Sequence, residues 1–282
     1  MKIFFQNIKT YDLQGNILSL TRYGITSKTA DENEYGIVND IRNKPKGPTI
    51  IETQNENSLW PTYGSQTYLP SGSFTDNTFD RNGNTVFDDA RETSFAYNHL
   101  NLATKISNPL GALLTKYNAL GNKVKETIIS NNDTVVRYFN SGTIYESDNA
   151  GNMAMVYHSL PEGYFSNGRY FSVIHDYLGS VRMVIKANNN EVQEVNHYDP
   201  FGVEYGLSSN PFGVQLYKHQ GMERLNVSGF SLHYHFARNA DNLYGRWLTR
   251  DKLEEDDYWN GAHVWCGNNG VRYNVAVDPI IN

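Results

Sequence analysis

With Cys266 as its only cysteine, the 282-residue chain can form no intrachain disulfide, and its redox compartment stays open. A reactive thiolate needs a general base beside it, and nothing around Cys266 supplies one, so it reads as a packed thiol. Long apolar runs are missing as well. No stretch approaches the roughly 18 consecutive apolar residues of a membrane helix. The start, Met1 to Asn7, carries a positive charge but falls short of the apolar region of about 7–15 residues that a signal peptide needs. There is no basic surplus: 24 Lys and Arg stand against 30 Asp and Glu, mixed along the chain, for a net charge of −6. That argues against nucleic acid or an anionic membrane as a partner. Helix formers never gather into a long amphipathic run.

What is present favours strands. Tyrosine leads the aromatics, with 20 Tyr beside 13 Phe and 4 Trp. Tyr with Thr, Val, Ile and Phe suits a pleated sheet, and abundant Gly, Asn and Asp suit the turns between strands. The composition is that of an all-β chain, long enough for a large buried core.

A short motif repeats. Tyr11-Asp12-Leu13-Gln14-Gly15-Asn16 recurs as Phe79-Asp80-Arg81-Asn82-Gly83-Asn84 and as Tyr117-Asn118-Ala119-Leu120-Gly121-Asn122. Asp148 to Asn152 fits without the aromatic, and Tyr97 to Asn101 fits without the glycine. Asp176 to Ser180 and Tyr198 to Gly202 are looser copies. The pattern describes a strand ending in a tight turn. The aromatic is expected to anchor the strand in a core. The Asp or Asn bonds back to nearby amides, and Gly supplies a positive φ.

Strand-like sequence follows most of these corners. Residues 123–130 and 133–140 flank Asn131-Asn132 as a hairpin. Met153, Met155 and Tyr157 alternate with their neighbours, as do Val181, Met183 and Ile185, with a second strand expected over 191–198. The copies fall roughly 20–30 residues apart after one long first gap, the size of a hairpin unit that must stack on its neighbours. The polar stretch Thr26 to Pro48 reads as a long loop in that gap.

These residues resemble the bacterial RHS/YD-repeat family, and the wording of the blocks is most like its members from Bacteroidetes. The corners resemble YD repeats. The later half resembles the RHS repeat-associated core: His175-Asp176-Tyr177-Leu178-Gly179-Ser180-Val181-Arg182, then His197-Tyr198-Asp199-Pro200-Phe201-Gly202, then Gln220-Gly221-Met222-Glu223. Ala237-Arg238 with Asp241, Gly245-Arg246-Trp247-Leu248-Thr249-Arg250-Asp251, Cys266-Gly267-Asn268-Asn269 and Asp278-Pro279 complete the series in order.

The resemblance implies antiparallel hairpin repeats forming part of a spiralling β-sheet shell around a C-terminal toxin. It implies a YD-repeat region over 1–165 and an associated core over 166–282, continuous with the same sheet. Its implied partners are a C-terminal toxin or further RHS repeats, with an immunity or delivery protein, and its full-length members are secreted or cell-surface. The chain is expected to be a truncated member lacking delivery region and toxin.

The family's core also cuts its own chain in the manner of an aspartic protease. Such hydrolysis needs two acids close enough to share a proton. The matching positions are Asp251 and Asp278, with Arg246 to orient or balance a carboxylate. Departures weigh against cutting: Lys252 and Gly270 stand where the family has Pro, Asn242 follows Asp241, and no Gly follows Asp278-Pro279. The expectation is a structural shell or cap fragment. The alternatives are a self-cleaving core and a surface glycan- or partner-binding module.

No cofactor or metal is expected. His233 and His235 share one face of a strand but have no third ligand at suitable spacing. The run Glu254 to Asp257 lacks the pattern of a calcium loop and reads as a solvated face. Tyrosines offer a sugar-binding platform only if they stand exposed.

Overall fold

The computed structural model describes residues 5–11, 13, 17–28, 33–43, 50–54, 72–73, 78–130, 133–148, 150–205, 215–227, 230–255 and 261–270. Its elements are strands and three short 3-10 turns, with no α-helix among the described residues. No helix there is long and apolar enough to cross a membrane.

The chain meanders, each strand pairing antiparallel with its sequence neighbour. The first sheet holds β1 (Phe5–Tyr11), β2 (Ile17–Lys28), β3 (Asn33–Asn43), β4 (Ile50–Gln54) and β5 (Gly72–Ser73). The stretch expected as a loop over Thr26 to Pro48 therefore contains β3, paired with β2 from Ser19↔Arg42 to Lys28↔Asn33. Polar side chains masked the pattern there, while backbone pairing sets the element.

The second sheet has thirteen strands in sequence order. It opens with β6 (Thr78–Phe79), β7 (Thr85–Asp88), β8 (Thr93–Tyr97), β9 (Ala103–Asn108) and β10 (Gly111–Tyr117). It continues through β11 (Lys123–Ser130), β12 (Asp133–Asn140), β13 (Thr143–Ser147) and β14 (Met153–Leu160). It closes with β15 (Gly163–Ser166), β16 (Arg169–His175), β17 (Val181–Lys186) and β18 (Glu191–Val195). The hairpin at Asn131-Asn132 has the strand bounds read from sequence. The sheet passes residue 165 without a break.

Six corners share one hydrogen-bond pattern. The side-chain Oδ1 of Asp80, Asn98, Asn118, Asp148, Asp176 and Asp199 accepts the backbone N–H groups two and four residues ahead. The N–H three residues ahead donates to the backbone carbonyl of the same residue. Glycine takes the position that needs positive φ in five of them; in the corner without glycine, Asn101 takes φ 58 instead.

The corner tyrosines do more than fill space. Tyr97, Tyr117 and Tyr198 donate their hydroxyls to the carbonyls of Thr85, Ala103 and Val181. Each acceptor is the first residue of a strand leaving an earlier corner, so these three repeats are laced to earlier ones. Phe79 and Tyr11 depart from the expected anchoring and stand 38% and 47% exposed.

The described residues among 196–270 leave the strip and pack against it. They contain β19 (His197–Tyr198) with β20 (Glu204–Tyr205), and a four-stranded sheet of β21 (Glu223–Val227), β22 (Phe230–His235), β23 (Arg238–Asp241) and β24 (Arg246–Trp247). Three cores join this plug to the wall. Phe201, Tyr244, Trp247 and Trp265 pack with Ile17 and Leu20 of β2. Leu225, Leu232, Tyr234 and Leu248 pack with Phe95, Ala103, Ile106 and Leu113 of β8–β10. Leu216 and Tyr217 lie against the cluster of Ile144, Tyr157, Tyr164, Val181 and Val184. The plug is thus met by the first sheet at β2 and by the second at β8–β10 and β13–β17, the second being long enough to twist markedly along its length.

Candidate functional site

The seam between wall and plug concentrates the unusual chemistry, because charged side chains are buried across it. Arg91 ends the turn Asp89–Arg91 after β7, and its Nη2 donates to Asp88 and, at 2.5 Å, to Asp241 Oδ2 on β23. Tyr244 donates its hydroxyl to Asp88, and Arg91 stacks over the Tyr244 ring at 4.3 Å. Lys123 on β11 joins Glu126 to Glu223 of β21, at 2.8 and 2.5 Å. At the sheet edge, Glu194 of β18 turns inward and pairs with Lys218; both are buried. An inward charge on an edge strand discourages pairing with another chain. Burying ions costs desolvation, so removing one member of such a set leaves a stranded charge.

Backbone bonds complete the seam. Thr85 N–H donates to the Leu248 carbonyl, and Val181 N–H to the Lys218 carbonyl. Arg246 is buried and its Nη2 donates to the Ile17 carbonyl in β2.

Asp251 sits just beyond β24. Its N–H donates to the Ala262 carbonyl, and Trp247 N–H to the His263 carbonyl, so the two segments run side by side. Its Oδ1 accepts the Leu253 N–H at 3.0 Å and its Oδ2 pairs with Arg238 Nη1 at 2.6 Å. Arg238 also lies over the Trp247 ring at 4.2 Å, which fixes the guanidinium. The structure thus brings Asp251 to Arg238, a residue of the sequence blocks with no assigned role, and sends Arg246 to the wall. Asp278 lies outside the described residues, as do Asp256 and Asp257.

The remaining candidates resolve into packing. Cys266 packs against the Trp247–Trp265 cluster, and burial pushes its thiol up to about 12. Glu254 pairs with Arg250. Tyr157, Tyr164 and Phe171 do stack, at 4.9 and 5.0 Å between centroids, but all three are buried in the wall and form no exposed sugar platform. Among the described residues no group of three or more His, Cys, Asp or Glu converges as a metal site. Sequence reasoning missed the buried ions: Arg91 and Asp241 are 150 residues apart, and nothing local marks either as buried.

No family model matches the chain. Over 120 residues, 42% of the chain, it is 30% identical to Salivary gland surface protein 1 of Aedes aegypti, and that stretch is 3% of the mosquito protein. Solved structures match it nearly end to end. A crystal structure of TcdB2-TccC3-Cdc42 aligns over 96% of this chain with a TM-score of 0.63 at 13% identity, using 15% of its own length. A TcdB2-TccC3 crystal structure aligns over 94% with a TM-score of 0.62, also at 13% identity and 15% of its length. A Photorhabdus luminescens Tc holotoxin pore aligns over 99% with a TM-score of 0.57 at 11% identity, using 18% of its length. The chain thus spans less than a fifth of the structures it matches. By fold it is an RHS-like strip of antiparallel β-hairpins of the kind found in these Tc toxin components.

Proposed function

We propose that this chain is the closing segment of a β-sheet shell that holds a toxin, with the hairpin strip as wall and residues 196–270 as the plug at one end. One observation carries the reading: the plug is seated on wall cores from β2 to β17 and riveted to them by buried ions. The fold shared with the TcdB2-TccC3 structures supports it. In this reading residues 1–165 are repeat wall, and 166–282 are the associated core with β16–β18 as its share of the wall. The partners are further repeats and a C-terminal toxin, served by an immunity or delivery protein. Shells of this kind act outside the cell that makes them, at its surface or after secretion.

A self-cleaving reading has narrower support. Asp251 keeps its side chain 33% exposed and held in place, as an acid facing a scissile bond would be. It would pair with Asp278, while Arg246 braces the strand before it against the wall.

The two readings part on a simple extension. A flexible reporter of about forty residues is added after Asn282, the intact mass is followed for days, and trypsin is then added. The shell reading expects an uncut fusion that loses only its reporter, wall and plug surviving as one resistant body. Digestion of the plug while the wall survives overturns that reading. Spontaneous cutting past Asp278 that stops in Asp251→Asn establishes self-cleavage.

A further inference from the structure

Of the eight histidines, four are buried together in the plug: His219 in the turn His219–Gly221, His233 and His235 on one face of β22, and His263 beside β24. Three of them make tilted and edge-on ring contacts with one another and with two tryptophans, and the His263 ring meets Phe79 of β6 at 6.2 Å. His219 meets His233 at 6.2 Å between centroids and Trp265 at 5.8 Å, and His235 meets Trp247 at 5.0 Å and Trp265 at 6.3 Å. His233 Nδ1 meets Asn242 Oδ1, and His263 Nδ1 lies 3.1 Å from the Trp247 carbonyl. His233 Nε2 and both ring nitrogens of His235 are buried with no hydrogen-bond partner.

Such a site suits neutral imidazole and opposes imidazolium, which must satisfy two N–H donors and a charge in a poorly solvated place. The neighbouring charges act on top of burial, in both directions. His219 faces Asp176 and Arg182; His233 faces His219, His235 and Arg224. His235 faces His219 and Arg238, and His263 faces Arg246, Arg250 and Arg238. Asp176 favours a charged His219, and the arginines that oppose charge are themselves partly neutralised, Arg182 by Asp176, Arg224 by Glu204, Arg238 by Asp251 and Arg250 by Glu254.

We propose that this cluster makes the plug acid-labile, so that mild acidification loosens it from the wall while the wall's hairpin corners stay closed. The proposal rests on the wall-and-plug packing and stands or falls apart from the toxin reading.

Burial dominates: against the pull of Asp176 it brings His219, and against the Trp247 carbonyl it brings His263, down to about 4, while His235 falls to about 3 and His233 well below its ordinary range. Unfolded histidines titrate near 6.5, so opening takes up protons. The plug's stability is full above about pH 6.5 and falls as pH drops from there toward the folded values. The corner aspartates also lose stability on acidification, but in a lower window. Asp148 is held below its usual value by the Asn152 side chain and backbone amide. Burial alone would raise Asp176, but the Ser180 amide and Arg182 override it and hold it low. Their contribution is present above about pH 3.9 and is lost only as pH falls through the lower folded values.

Urea titrations of the full chain between about pH 7.5 and 5, read by tryptophan fluorescence, test this. Each buried histidine is expected to shift the folded-to-open equilibrium by roughly thirtyfold toward opening at about pH 5. His235→Phe, which removes no hydrogen bond, is expected to cancel one such factor. Imidazole resonances of the unaltered protein give a second reading that needs no variant: the four plug histidines stay neutral until it opens. A urea midpoint that is flat across the window, or plug histidines titrating near 6.5 in the folded protein, overturns the proposal.

Discussion

Arg91 of the wall and Asp241 of the plug meet at 2.5 Å, both withdrawn from solvent, although 150 residues separate them in the chain. Burial pushes the Asp241 carboxyl up and Arg91 pulls it back, so the pair exists only when the plug is seated. Asp241→Asn leaves the arginine paired with Asp88 and weakens only its charged contact to the plug, at an expected cost of about 1.5–3 kcal/mol, read as a lower urea midpoint. A loss below about 1 kcal/mol would mean that the contact does not hold the plug.

The tyrosine lacing is testable one hydroxyl at a time. Tyr117→Phe keeps the ring and removes only the donor to the Ala103 carbonyl, leaving that acceptor without it. The expected cost is about 1 kcal/mol in urea denaturation. An unchanged midpoint would show that water replaces the hydroxyl and that the lacing is incidental.

Two glycines separate backbone strain from close packing. Gly151 and Gly202 have nearly equal φ, +86 and +87. A Cβ on Gly151 meets nothing within 4 Å, whereas one on Gly202 would lie 2.5 Å from Asn242 Nδ2 and 2.6 Å from His219 Nδ1. Gly151→Ala is expected to cost about 1–2 kcal/mol from conformation alone. Gly202→Ala is expected to cost clearly more, because it also pushes β19–β20 off the histidine cluster. Equal thermal shifts in the two variants would contradict this placement of the corner.

Cys266 offers a chemical probe of the same region. With its thiol raised to about 12 by burial, it is almost wholly protonated at mildly alkaline pH. Iodoacetamide at about pH 8 is expected to label the folded chain on the order of a thousandfold more slowly than the urea-unfolded chain. Comparable rates, followed by mass, would place this thiol in solvent.

Local features were legible in the sequence and distant ones were not. The corner motif gave Asp80, Asn118 and Asp148 their turn roles because an Asx side chain, a glycine and the amides they serve lie within five residues. The hairpin over β11 and β12 was readable for the same reason. Strand β3 was not, since its polar run pairs with β2 through the backbone. The acids singled out from family blocks fared unevenly. Asp251 is ion-paired with Arg238, Arg246 donates to the Ile17 carbonyl of β2, and Asp278 lies outside the described residues. The buried ions are brought together by the seating of the plug on the wall, which no local pattern records, whereas His233 and His235 already share a strand face in the sequence.

Whether wall and plug form one closed body is decided most directly by native-state amide exchange at neutral pH, followed peptide by peptide. The account predicts that amides of β21–β24 exchange as slowly as those of β8–β11 and through the same opening, because Leu225, Leu232, Tyr234 and Leu248 share a core with Phe95 and Leu113. Exchange in β22 and β23 orders of magnitude faster than in the wall would show a plug that docks loosely, and would contradict the closing role.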